Sequence, residues 1–281
     1  MEYIDVFYTS DDGLRLYARD YPGPAGAPCV LCLPGLTRNS KDFAALAQDL
    51  SRTYRVICPD QRGRGRSARD PQPERYRPER YVLDMLRLLD VLRVDFVSLV
   101  GTSLGGLMAI LLMAQAPGSI RAAVLNDVGP EIDPRGIARI AAYVGKLAPV
   151  TTWEQAVART AQVNGPAFPH FLDADWEAMA RSTYVLVDGA PVSDYDPAIS
   201  QGVASGSAAP NLWPLFERCA QHPMLAIRGE SSDILAASTL EQMAQRMPRL
   251  TAVTIRGVGH APMLDESDAR AAIHRFLAEH A

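Results

Sequence analysis

Lysine is almost missing from this chain. Of its 28 basic residues only Lys41 and Lys146 are not arginine, so mechanisms that need a buried catalytic lysine have two candidates. Cysteine is sparse too. Cys29, Cys32, Cys58 and Cys219 are too few for a disulfide framework and are expected as thiols in a reducing compartment. Cys29 and Cys32 form a C-x-x-C, but they lie in the run CVLCL. Residues three apart on a strand point to opposite faces, which favours buried strand side chains over a redox or zinc pair. No apolar run approaches the roughly 20 residues of a membrane-spanning helix. The opening lacks the charged start and apolar stretch of a signal peptide, so a cytoplasmic protein is expected. Basic excess is absent as well: a formal net charge of -4 gives no electrostatic footprint for nucleic acid or an anionic membrane.

What is present is ordinary globular composition, 48% hydrophobic and 21% charged over 281 residues, enough for one large domain with an insertion or two modest ones. The first 21 residues alternate apolar and polar side chains around Asp12-Gly13 and read as a β-hairpin. Strand-length apolar runs follow at Cys29 to Leu33, Arg55 to Cys58, Phe96 to Val100, Arg121 to Leu125, Met224 to Ile227 and Thr251 to Ile255. Helical stretches lie near Ser40 to Ser51, Arg80 to Leu92, Leu104 to Ala116, Ser238 to Met247 and Asp265 to Glu279. This alternation predicts a mainly parallel sheet covered by helices.

The pattern breaks from about Pro130 to Gln221. Thr152 and Gln155 form a T-x-x-Q cap ahead of one helix, and Asp173 precedes another. A short hairpin is expected about Asp188-Gly189, then a small-residue link, QGVASGSAAP. Residues 130–221 are expected as an inserted, mostly helical cap, and residues 1–129 and 222–281 as the α/β core.

The segment from Phe96 to Ile110 runs a strand into Gly101-Thr-Ser103-Leu-Gly105 and then a helix. G-x-S-x-G in that setting is a nucleophile elbow: the serine sits on a strained turn, and small flanking residues let strand and helix pass closely. A serine hydroxyl needs a base to take its proton. Of the five histidines, only His260, in Arg256-Gly-Val-Gly-His260-Ala-Pro, follows a candidate strand in a loop suited to sharp turns. The histidine needs a carboxylate to fix its tautomer and stabilise the imidazolium. Asp233, beyond the strand Met224 to Ile227, is the expected acid, with the chain order Ser, Asp, His that such an elbow takes. Glu230 in the same loop and Asp127 beyond the strand Arg121 to Leu125 compete with it.

A tetrahedral intermediate needs preorganised donors for its oxyanion. Leu104 N–H, just after the nucleophile at the start of a helix, and Leu36 N–H, in the loop Leu33-Pro34-Gly35-Leu36 after the third strand, are the expected pair. Arg38 beside that loop, with Trp153, Phe171 and Trp213 of the insertion, are candidate substrate-binding residues; packing of the aromatics and an exposed helix start at Arg38-Asn39 are the plainer readings.

With these motifs the chain resembles the α/β-hydrolase superfamily along nearly its whole length, among its capped Ser-His-Asp members. Pro59-Asp60-Gln-Arg62-Gly63-Arg-Gly65-Arg-Ser67 is similar to the D-x-R-G-x-G-x-S loop of capped esterases, lactonases and epoxide hydrolases. Where relatives often carry His-Gly in the oxyanion loop, this chain has Pro34-Gly35. The resemblance implies an α/β-hydrolase fold, with a mainly parallel eight-stranded sheet, helices on both faces and an inserted cap. Dehalogenases and epoxide hydrolases of this fold carry an elbow aspartate and hydroxynitrile lyases a lysine near the acid loop; neither matches. The implied activity is hydrolysis of a small carboxylic ester, thioester or lactone through an acyl-enzyme, with an acyl substrate and water as partners and no metal or cofactor. Carbon-carbon bond hydrolases of aromatic ring-fission products share the triad and are an alternative, as is a slow-turnover small-molecule receptor.

Overall fold

The computed structural model describes residues 2–202 and 211–281. The opening hairpin forms as β1 (Ile4–Thr9) and β2 (Arg15–Tyr21), antiparallel about the turn at Gly13, whose φ of 87° suits glycine. The remaining strands of the sheet are β3 (Cys29–Leu33), β4 (Arg55–Asp60), β5 (Val97–Thr102), β6 (Ile120–Asn126) and two near the C-terminus. Between them run α1 (Ala44–Leu50), preceded by a 3-10 turn at Ser40–Phe43, α2 (Pro78–Val91) and α3 (Leu104–Gln115).

The stretch after β6 carries α4 (Pro134–Tyr143), α5 (Trp153–Asn164), α6 (Asp173–Thr183), a hairpin of β7 (Tyr184–Val187) and β8 (Ala190–Ser193), and α7 (Trp213–Glu217). Gln155 N–H donates to Thr152 Oγ1 at 3.3 Å, whereas the Gln155 side chain reaches one residue further back, to Thr151 N–H. Residues 203–210 of the expected small-residue link lie outside the described residues. The chain then completes the core with β9 (Met224–Gly229), α8 (Ala237–Arg246), β10 (Leu250–Ile255) and α9 (Ser267–His280).

The eight strands lie in the order β1-β2-β4-β3-β5-β6-β9-β10, parallel from β4 to β10. Fully buried strands must be apolar on both faces, and alternation along them divides the core into two layers. Cys29, Leu31 and Leu33 join Met85 and Leu88 of α2, Met108 of α3, Phe216 of α7 and Met243 of α8. Val30 and Cys32 join Leu46 and Leu50 of α1 and Ile273 and Phe276 of α9 on the opposite face. The two cysteines of the C-x-x-C are therefore on opposite faces, and all four thiols are free and buried.

α7 packs on the core side of the insertion: Trp213 and Phe216 belong to the same apolar layer as α3. Among the described residues no helix is long and apolar enough to cross a membrane. Since β3, β5, β6, β9 and β10 are parallel, their C-terminal ends share one sheet edge. The loops leaving that edge are where an open α/β sheet builds its site.

Candidate active site

Strand register brings the elbow together. Gly101 pairs with Leu33 of β3 and Leu125 of β6, and Thr102 with Asn126. The next residue, Ser103, adopts φ 53° and ψ -115° before α3 begins, a conformation that costs a non-glycine residue about 1–3 kcal/mol. Ser103 N–H donates to Asn126 O at 2.9 Å, and its carbonyl accepts from Gly106 and Leu107 N–H, so the helix holds the turn. The spacing of glycines is steric: a Cβ on Gly105 would overlap the Leu33 carbonyl, and one on Gly101 would overlap the Gly105 carbonyl.

A hydrogen-bonded chain leads away from the serine. Ser103 Oγ lies 2.9 Å from His260 Nε2, and His260 Nδ1 lies 2.7 Å from Asp127 Oδ2. The arrangement fits one tautomer, with Nδ1–H donating to the carboxylate and Nε2 accepting from the hydroxyl. Asn126 Nδ2 donates to Pro262 O at 2.8 Å and ties the histidine loop to β6.

The acid on the histidine is Asp127, which corrects the expectation of Asp233. Asp127 stands one residue past the Thr102–Asn126 pair, beside the serine, and is fully buried. Its Oδ1 accepts from Gly229 N–H at 2.9 Å, and its Oδ2 accepts from Ser232 Oγ at 2.6 Å besides the imidazole. A buried carboxylate needs such a full set of donors. Asp233 is instead claimed from the other side by Arg139 of α4, whose Nε and Nη2 reach its two oxygens at 2.5 and 2.8 Å. That guanidinium holds the Asp233 carboxyl below the usual carboxylate range. Glu230, the other competitor, accepts from Gly257 N–H.

Gly35 lies against the elbow, for a Cβ there would stand 3.9 Å from Ser103 Cβ. Neither Leu36 N–H nor Leu104 N–H donates within the surrounding turns among the described residues. The Asp60-to-Ser67 motif supports this loop. Gln61 Nε2 donates to Pro34 O at 2.9 Å and Arg64 Nε to Leu36 O at 2.9 Å. Asp60 accepts from Ser40 and Arg66 N–H, and Ser67 Oγ donates back to Asp60 O. The fully buried Arg62 pairs with Asp84, Asp70 and Asp12; its partnered charge fixes the loop's base.

A cavity of about 150 Å³ opens over Ser103 and His260, lined on the core side by Gly35, Leu36 and Arg38 and on the insertion side by α4, α5, α6 and β8. Arg38 reaches it while paired with Asp42. The three aromatic candidates do not line it, and each is held elsewhere by packing. Trp153 lies with Val150, Ala156 and Tyr184, under the Arg181 guanidinium at 3.9 Å. Phe171 stacks on Phe168 at 4.5 Å and tilts against Trp176 at 4.9 Å, and of these three only Phe168 faces the cavity. Trp213 is buried against Phe216, with Nε1 donating to Glu131 at 3.3 Å.

In their place stand Arg139, Tyr143, Arg159 and Tyr195. Burial raises both tyrosine hydroxyls, which are therefore neutral donors. A signal existed: Arg159 lies three residues after the buried Ala156 and four before Val163, on the inward face of an amphipathic helix where a cation is out of place. The carboxylates Asp11, Asp12 and Asp84, close enough together to suggest a metal site, are paired with Arg62 and Arg80 and are not among the residues lining the cavity.

The family model for the alpha/beta hydrolase fold matches residues 28–267. The chain is 33% identical over 260 residues to a 3-hydroxybutyrate-oligomer hydrolase of Cupriavidus necator, covering 88% of this chain and 87% of that protein. It is 30% identical over 233 residues to a 2-(acetamidomethylene)succinate hydrolase of Mesorhizobium japonicum, covering 83% and 81%. The crystal structure of an alpha/beta hydrolase from Novosphingobium aromaticivorans superposes with a TM-score of 0.93 at 43% identity, covering 99% of this chain and 98% of that one. A match over most of the length, an eight-stranded sheet of this order and an elbow between β5 and α3 agree: the chain belongs to the α/β-hydrolase family and is a hydrolase.

Proposed function

We propose that the protein cleaves a small carboxylic ester, thioester or lactone through an acyl-enzyme on Ser103, with His260 as general base and Asp127 as its orienting acid. The observation that carries this reading is the unbroken hydrogen-bond chain from Ser103 Oγ through both nitrogens of His260 to Asp127. His260 takes the hydroxyl proton as Ser103 attacks the carbonyl, and Asp127 stabilises the imidazolium. The tetrahedral oxyanion is received by Leu36 and Leu104 N–H, donors held rigid by the Arg64 contact and by α3. Imidazolium then protonates the leaving alkoxide or thiolate, and His260 activates water for deacylation. Residues from α4 to β8 act as a cap over the acyl pocket. An ester suits the relative from Cupriavidus necator, a hydrolase of 3-hydroxybutyrate oligomers.

A fluorophosphonate probe and p-nitrophenyl butyrate test the reading together. The probe is expected on Ser103 by peptide mapping, and Ser103→Ala is expected to lower turnover of the ester by about a thousandfold or more. Labelling elsewhere, or a Ser103→Ala enzyme that keeps its activity, contradicts it. Turnover of a ring-fission dienone with none of the butyrate moves the assignment to carbon-carbon cleavage.

A further inference from the structure

We infer that Arg159 is the recognition point for a carboxylate carried by the substrate, so that the enzyme's preferred substrate is an anionic ester; this rests on the ester-hydrolase reading of Ser103. The cavity wall over Ser103 includes three guanidinium groups, Arg38, Arg139 and Arg159, against the single carboxylate of Asp42 among its described lining. Two of the three are already neutralised. Arg38 is bound to Asp42, and Arg139 is bound through two nitrogens to Asp233.

Arg159 differs. Among the described residues its side chain makes one hydrogen bond, from Nη1 to the Ala148 carbonyl at 2.8 Å, and it has no carboxylate partner. An arginine offers five N–H donors in a planar fork matched to a carboxylate. This one is half-buried on the inward face of α5, beside Val163, Phe168 and Met179 of the same cavity. A partly desolvated cation on an apolar wall is costly unless an anion completes it. The free acids of hydroxyacid ester oligomers and the succinate named for the Mesorhizobium relative each supply such a group, which agrees with the charge of the wall.

The test compares the linear dimer of 3-hydroxybutyrate as its free acid and as its methyl ester, the scissile ester being the same in both. The wild-type enzyme is expected to favour the acid by about tenfold or more in kcat/KM, mainly through KM, as a charge-assisted hydrogen bond to a carboxylate implies. Arg159→Gln is expected to remove most of that ratio, and Arg159→Lys, which keeps the charge without the fork, to restore part of it. A wild-type ratio near one, or an unchanged ratio in Arg159→Gln, overturns the inference. If Arg159→Gln fails to fold, Arg159→Lys decides: a ratio below that of wild type sustains the inference and an unchanged ratio overturns it. Should the wild type hydrolyse neither dimer, turnover of p-nitrophenyl butyrate decides separately whether the ester reading of Ser103 stands. The carboxylate site is then judged by melting temperature with 3-hydroxybutyrate: a rise in wild type that Arg159→Gln loses sustains the site, and no rise in wild type refutes it.

Discussion

Asp127 and Asp233 follow neighbouring parallel strands, and both satisfy the chain order Ser, Asp, His. What separates them is the donors around each. Asp127 collects a backbone N–H, a serine hydroxyl and the imidazole, whereas both Asp233 oxygens are occupied by a guanidinium. Ser232 is thus a positioning residue: its hydroxyl donates to Asp127 while accepting from Ile234 and Leu235 N–H. Ser232→Ala removes one bond to a charged acceptor, a loss of about 1.5–3 kcal/mol at most. Steady-state kinetics on p-nitrophenyl butyrate are expected to show kcat/KM lower by about tenfold with KM little changed; unaltered kcat assigns the serine to the loop alone. The pairing of Ser103 with His260 was legible because each stands alone in its context, one in an elbow and one histidine in a turn after a strand. The carboxylate on the histidine was not, because its identity depends on which carboxylate Arg139 takes, a contact 94 residues apart in sequence.

At the level of elements, every core strand and helix was visible from apolar runs and period. Boundaries extended one or two residues past the apolar run where a polar strand end enters the site, as at Thr102, Asn126 and Asp60. The three aromatic candidates were misplaced for a physical reason. Large rings serve first to pack: Trp153 lies in the small cluster with Val150, Ala156 and Tyr184, Phe171 lies against Phe168 and Trp176, and Trp213 joins the core layer with Phe216.

The elbow's close crossing predicts that Gly105→Ala is severely destabilised, by about 3 kcal/mol in a denaturant titration, since its methyl group meets a backbone carbonyl that cannot yield. A loss under about 0.5 kcal/mol contradicts the crossing. The docking of α4 on the loop after β9 carries its own pH signature. The Asp233 carboxyl is depressed by Arg139, so its contribution is fully present above the ordinary carboxylate value of about 3.9 and is lost as pH falls through the depressed one. The melting-temperature gap between wild type and Asp233→Asn is therefore expected to be constant from pH 7 to about 5 and to close as pH falls below the ordinary carboxylate value of about 3.9. A gap that widens on acidification contradicts the ion pair.

Across the whole molecule, one sheet edge does the assembling. The C-terminal ends of β3, β5, β6, β9 and β10 deliver the Gly35-Leu36 loop, Ser103, Asp127, the Ser232 loop and His260 in turn, and two apolar layers hold the strands in register. The insertion is anchored to this edge from both sides. Arg139 reaches Asp233, while Asp194 accepts from Lys41 and Asn39, and Tyr76 donates to Asp196. Of the cavity's guanidinium groups, Arg139 and Arg159 thus come from the segment between β6 and β9, and Arg38 from the loop after β3.

The account stands on Asp127 as the group that orients His260. The most direct measurement is kcat/KM for p-nitrophenyl butyrate in Asp127→Asn and Asp233→Asn side by side. Asp127→Asn is expected to fall by about a thousandfold or more, as loss of a triad acid does, with Asp233→Asn within about tenfold of wild type; the reverse ranking would contradict the account.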